Sequence, residues 1–220
     1  MALNLQVPVE RFARRNPQTV GLFTKVIEGG GHIALGFSNV SYFVAEVLDL
    51  PTSGEPDDSD LVAPNNEFER IAGLMGVNIA FNKRLSVQTA DGLDLHFKGD
   101  ELKAMADTSI QLIRPRTMIR AGKHRYNTAV SPTVVGARTI YETNEGLVPV
   151  GHIGEWLLMY SISQRPHPKG DAQKVAMLRQ GCDMLDPYLV LRGTELGADD
   201  RVWQFAAHAG HIANTHVLAA

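Results

Sequence analysis

Apolar residues recur at intervals of three, four and seven along most of this 220-residue chain, the spacing that lines one face of an α-helix. Val40, Phe43, Val44, Val47 and Leu48 make one stripe, with Ser38 or Asn39 placed to cap it and Pro51 to close it. Asn66 stands three residues before Glu69, and Phe68, Ile71, Ala72, Met75 and Ile79 follow on one face. Asp100 precedes Leu102, Met105, Ala106, Ser109 and Ile113, a stripe expected to end before Pro115, because proline pushes its predecessor out of the helical region. Three more helices are expected over 153–164, 171–186 and 199–216. Their core faces are Ile153, Trp156, Leu157 and Tyr160; Val175, Leu178, Cys182 and Leu185; and Val202, Phe205, Ala209 and Ile212.

Strand signals are fewer. Leu85, Val87 and Thr89 alternate with polar residues, Asp91-Gly92 supplies a turn, and Leu93, Leu95 and Phe97 resume the alternation. A weaker hairpin would turn at Gly29, Gly30 and Gly31, between 24–28 and 32–37. The reading is a mainly α fold with a minor α+β component: residues 1–220 as a single domain, a helical bundle-like body with one or two small β-hairpins. Residues 51–65 form an acidic surface loop, and 114–151 a long basic irregular segment.

The formal charge of −3 is unevenly spread. Between Asp107 and Glu142 lie 34 residues without an acid, carrying Arg114, Arg116, Arg120, Lys123, Arg125 and Arg138. Guanidinium groups suit phosphate as planar bidentate donors, and Tyr126 lies beside Arg125 where a base would stack. These seven residues are therefore the expected polyanion-binding set. The stretch from Gly54 to Glu69 is acidic without a Lys or Arg, and is the alternative mate for those cations.

Other chemistry is thinly signalled. His208, His211 and His216 fall in one expected helix, but His216 is about 12 Å along the axis from His208 at 1.5 Å per residue. His208 and His211 are thus the only metal candidates as a pair, with a third ligand required from His152, Glu155 or Asp186, and no metal site or other cofactor is assigned. Gly29 to Gly31 lack the Lys-Ser/Thr of a phosphate-binding loop and read as a turn. Asp57, Asp58 and Asp60 miss the calcium-loop pattern and read as a solvated loop. Ser131 and Thr128 lie in the basic segment, where single hydroxyls are too common to discriminate. Cys182 falls on an apolar stripe and reads as a small hydrophobe rather than a nucleophile.

The lone cysteine forms no intramolecular disulfide, no run reaches the 18 apolar residues of a membrane span, and the N-terminus carries no signal-peptide pattern, so an intracellular location is expected. With no catalytic constellation in view, the functional expectation is a noncatalytic helical assembly subunit. It would be a structural protein that self-associates as a homo-oligomer or joins a larger complex, coat-like, nucleoprotein-like or accessory to secretion or conjugation, binding RNA or DNA through the basic segment. The alternative is a helical enzyme acting on an anionic substrate, metal-assisted through the C-terminal histidines.

Overall fold

Strands of mixed direction, rather than a bundle of helices, frame this chain. The computed structural model describes residues 3–52, 54–64, 67–75, 85–88, 94–98, 101–113, 117–121, 124–128, 132–163, 171–182 and 186–196. In chain order the elements are α1 (Gln6–Arg15), α2 (Pro17–Glu28), β1 (Ala34–Leu35), α3 (Phe37–Val47), β2 (Asp58–Val62), α4 (Phe68–Leu74), β3 (Leu85–Gln88), β4 (Asp94–Lys98), β5 (Glu101–Met105), β6 (Ser109–Ile113), β7 (Thr117–Ala121), β8 (His124–Thr128), α5 (Pro132–Gly136), β9 (Thr139–Thr143), β10 (Gly146–Val150), α6 (Ile153–Ser163), α7 (Asp171–Gly181) and α8 (Pro187–Leu196).

Eight strands share one sheet in the order β3-β4-β5-β6-β2-β1-β10-β9, and β7 pairs with β8 separately. The flank from β3 to β6 is an antiparallel meander. The centre is mixed: β2 runs parallel to β6, β1 antiparallel to β2, and β1 parallel to β10. Ile33, Ala34, Leu35, Leu61, Ile110, Leu112 and Val148 are fully buried there, as expected of strands covered by helices. The core also takes in Val20, Phe23 and Val26 of α2, Val40, Phe43 and Val44 of α3, and Trp156, Leu157 and Tyr160 of α6.

The mainly helical bundle is therefore corrected to an α/β fold. The helix expected after Asp100 is instead β5 and β6, with a turn at 106–108 between them. Ile110 and Leu112 are buried while Ser109 and Gln111 are half-buried, a period of two that the 3–4 spacing of Leu102, Met105, Ala106, Ser109 and Ile113 conceals. Residues 24–28 belong to α2, so the hairpin about Gly29–Gly31 does not form; Gly29 is the helix C-cap and Gly30 adopts φ 76°. The 51–65 loop contains β2, in the middle of the sheet. The described residues of 114–151 are not irregular, since β7, β8, α5, β9 and β10 lie among them. The pairing of Leu85 with Phe97 does follow the alternation seen in the sequence. The expected 199–216 helix, and with it His208, His211 and His216, lies outside the described residues.

One polar contact ties the start of α2 to the sheet. The carboxylate of Asp107, in the β5–β6 turn, accepts from the backbone N–H groups of Gln18 (2.8 Å) and Thr19 (3.1 Å) and from the Thr19 hydroxyl. The N-terminus of α2, opened by Pro17, thus takes its capping acid from 88 residues away in sequence. No described helix is long and apolar enough to cross a membrane.

Candidate functional site

The Asp58-Ser59-Asp60-Leu61-Val62 sequence makes β2 two-faced. Ser59 and Leu61 are buried on one side, while Asp58 and Asp60 are half-buried on the other, with Cα atoms about 6.6 Å apart at the usual strand rise. Their partners in register on β6 are Ser109 and Gln111, also half-buried, so the polar face continues across two adjacent strands.

Beside β2, the chain leaves β1 and enters α3 through Gly36. Two hydrogen bonds join this entry to the acidic strand: the Gly36 N–H donates to the Asp60 carbonyl (2.9 Å), and Asn39 Nδ2 donates to the Asp58 carbonyl (2.8 Å). Asn39 is 1% exposed, so the second bond is shielded from water. Gly36 is the N-cap of α3 and no side chain caps the helix. The Ser38 or Asn39 cap expected from the sequence is thereby corrected: both lie inside the first turn, and Asn39 serves β2 instead. An uncapped helix start, with first-turn amides lacking intrahelical partners, is suited to an anion.

Phe37, the first residue of α3, has φ 52°, a left-handed backbone that costs a non-glycine residue about 1–2 kcal/mol. Its ring lies 4.7 Å from that of Trp156, tilted by 38°. On the far side of β1, β10 ends at Val150 and is followed by Gly151, whose N–H donates to the Leu35 carbonyl (2.8 Å). The α3 entry and the β10–α6 turn are therefore neighbours at one end of the central strands.

A second polar cluster follows along α6. Glu155, 3% exposed, accepts from Tyr188 Oη (2.6 Å) and from Arg192 Nε (2.8 Å) and Nη2 (3.1 Å); Arg192 is 1% exposed. His152 stacks on Tyr188 with ring centroids 4.2 Å apart, accepts from the Gly154 N–H at Nδ1 (3.1 Å), and holds Nε2 3.6 Å from Asp186. Burial pushes its pKa below the usual imidazole value, against the opposing pull of Asp186 and Glu155. The sequence proposed His152, Glu155 and Asp186 as alternative third ligands, and the fold gathers all three. Arg192 and Tyr188, however, engage the Glu155 carboxylate. Among the described residues no group of three or more His, Cys, Asp or Glu is placed to hold a metal ion.

The expected polyanion set is only partly placed. Arg114, Arg116 and Lys123 lie outside the described residues. Arg120 and Arg125 are register partners across β7 and β8, with Tyr126 opposite Ile119. Arg138 Nη1 donates to the Val135 carbonyl (2.6 Å), and burial lowers its pKa. The acidic stretch has cations of its own, Arg15 at Glu55 and Arg70 at Glu67. Cys182 is buried against the core, as expected of a small hydrophobe. Asp58 and Asp60, read as a solvated loop, are instead strand residues. The sequence signal that matches this placement, missed in the loop reading, is the alternation of Asp, Ser, Asp and Leu over 58–61.

No family model matches the chain, and no curated protein matches it. Among solved structures it is similar to a crystal structure of ANT(2″)-Ia in complex with adenylyl-2″-tobramycin, at 14% identity and TM-score 0.41, covering 88% of this chain and 95% of that one. A solution structure of the antibiotic-resistance factor ANT(2″)-Ia shares 16% identity at TM-score 0.36, covering 88% and 91%. An antigenic nucleotidyltransferase-like protein from Paracoccidioides brasiliensis shares 11% identity at TM-score 0.43, covering 87% and 91%. The expectation of a noncatalytic helical assembly subunit, a structural protein, is corrected here. The mixed sheet removes the helical body that expectation presupposed.

Proposed function

We propose that this chain is an enzyme of nucleotidyl transfer, acting at the Asp58–Asp60 face of β2 beside the first turn of α3. The observation that carries the reading is the double tie between those elements, Gly36 N–H to the Asp60 carbonyl and Asn39 to the Asp58 carbonyl. It fixes the backbone that carries both carboxylates relative to an uncapped helix start. Phosphoryl chemistry asks a protein mainly for positioning and for charge placed where charge develops.

Asp58 and Asp60 would hold a divalent cation such as Mg²⁺, which completes its shell from waters and substrate phosphates and so needs only one or two carboxylates from the protein. When bound, that ion supplies Lewis-acid polarisation of a phosphate oxygen. The α3 amides would receive the anionic phosphates. In the transfer, an acceptor hydroxyl oxygen bonds to the α-phosphorus of a nucleoside triphosphate, the bond to pyrophosphate breaks, and the hydroxyl proton leaves to water. The cations of the β7–β8 hairpin remain a proposed anion-binding surface, in the same role that Arg120 and Arg125 had in the sequence reading.

Incubation with the four nucleoside triphosphates, Mg²⁺ or Mn²⁺ and a panel of hydroxylated acceptors tests the reading through pyrophosphate release. The expected result is metal-dependent release that falls about 100-fold or more in both Asp58→Asn and Asp60→Asn. Release of the same size in both variants would refute it.

A further inference from the structure

The tightest packing near this site belongs to a residue that touches neither carboxylate. Trp156, 2% exposed, lies with its indole directly against two glycine backbones. A Cβ on Gly36 would come within 2.1 Å of Trp156 Cζ2 and 2.3 Å of Cη2, and one on Gly151 within 2.9 Å of Nε1. Gly36 has φ −142°, extended backbone open to any residue, so glycine is required there by the ring and not by conformation. The same indole stacks on Phe37, and Tyr160, one turn further along α6, meets the Phe37 ring edge-on at 6.4 Å. Phe37 is the residue held at φ 52°. The indole N–H is buried without a hydrogen-bond partner, so packing alone decides where the ring sits.

We infer that Trp156 is a positioning residue for the α3 entry. Its ring is the floor on which Gly36 and Phe37 rest, and it holds the left-handed Phe37 backbone that turns the chain from β1 into the anion-facing first turn. The inference rests on the function proposed above for what that turn binds, and on packing alone for what holds the turn. Trp156 is joined to the rest of α6 beside Glu155, whose bonds to Tyr188 and Arg192 fix that helix against α8. The entry turn is thus set from the far side of the core.

Four variants test this, with hydrogen exchange of the Gly36 amide, which is bonded to the Asp60 carbonyl, as the first readout and exchange within α2 as the reference. Trp156→Leu is expected to speed exchange at residue 36 by about tenfold or more while α2 stays unchanged. Trp156→Phe, which loses no hydrogen bond, should retain most of the protection. Gly36→Ala should reproduce the leucine phenotype, because the new methyl meets the indole. Combining it with Trp156→Phe, whose smaller ring vacates that space, should restore protection relative to Gly36→Ala alone. In turnover with Mg·ATP, the leucine variant is expected to raise KM about tenfold with kcat little changed, the signature of lost uniform binding.

Unchanged exchange at residue 36 in Trp156→Leu would overturn the inference, as would a double variant no better than Gly36→Ala. Should Trp156→Leu fail to fold, the alanine variant and its phenylalanine rescue decide. Exchange needs no ligand, so a wild-type protein that binds no Mg·ATP sinks the functional reading while the exchange result still judges the role of Trp156.

Discussion

Glu155 and Arg192 show how much a single pair of residues carries in this chain. Both are almost wholly buried, and the guanidinium fork takes both carboxylate oxygens. Removing Glu155 takes from the buried Arg192 guanidinium the carboxylate that binds it through two bonds, so Glu155→Ala is expected to destabilise the protein by about 3–5 kcal/mol, measured by urea unfolding. A loss under 1 kcal/mol, the range of an exposed pair, would contradict the geometry. Replacing both by apolar residues of similar volume should cost far less than either single change. His152 supplies a pH dependence at the same scale. Burial sets its folded pKa below the unfolded value of about 6.5, so the unfolded chain binds the proton more tightly. Its contribution to stability is then present above pH 6.5 and lost as pH falls from there through the folded pKa. His152→Gln should flatten the stability profile over that interval. An NMR titration placing the His152 pKa at or above 6.5 would reverse the sign.

At the scale of elements, Asp107 joins a β-turn to the start of α2, and Asp107→Ala should cost about 1–2 kcal/mol, since three donors lose their acceptor. Thermal unfolding of the variant against wild type reads this directly, and an unchanged midpoint would show that water replaces the cap. Nothing near Asp107 in the sequence announces that role, because the helix it caps begins 90 residues earlier. Elements whose signal is local were legible. The stripe of Val40, Phe43 and Val44 gives α3, that of Trp156, Leu157 and Tyr160 gives α6, and the alternation through Leu85 and Phe97 gives a strand pair. Elements that owe their form to neighbours were not. Ala34–Leu35 is two residues long and is a strand only because β2 and β10 flank it. Asp58–Val62 begins with two carboxylates that resemble loop chemistry until β6 supplies its register. The turn at Asp107 is short enough that two strands mimic a helical spacing, and α8 carries no strong stripe.

For the whole molecule, the order of strands explains why the site falls where it does. β1 runs antiparallel to β2 and parallel to β10, so the end of β1, the start of β2 and the end of β10 meet at one end of the central strands. Gly36, Asp58 and Asp60 collect there with Gly151, which lies 91 residues or more further along the chain. Neither composition nor charge places them together, and the strongest charge signal in the sequence, the basic run from Arg114 to Arg138, belongs to a different segment of the chain. The central claim is that Asp58 and Asp60 act together on one metal–phosphate ligand, and Mn²⁺ titration followed by electron paramagnetic resonance, in the presence of ATP, tests it most directly. Wild-type protein should immobilise Mn·ATP, Asp58→Asn and Asp60→Asn should each weaken that binding by about tenfold or more, and the exposed neighbour change Asp57→Asn should leave it unaltered. Equal binding by wild type and all three variants, or none by the wild type, would contradict it.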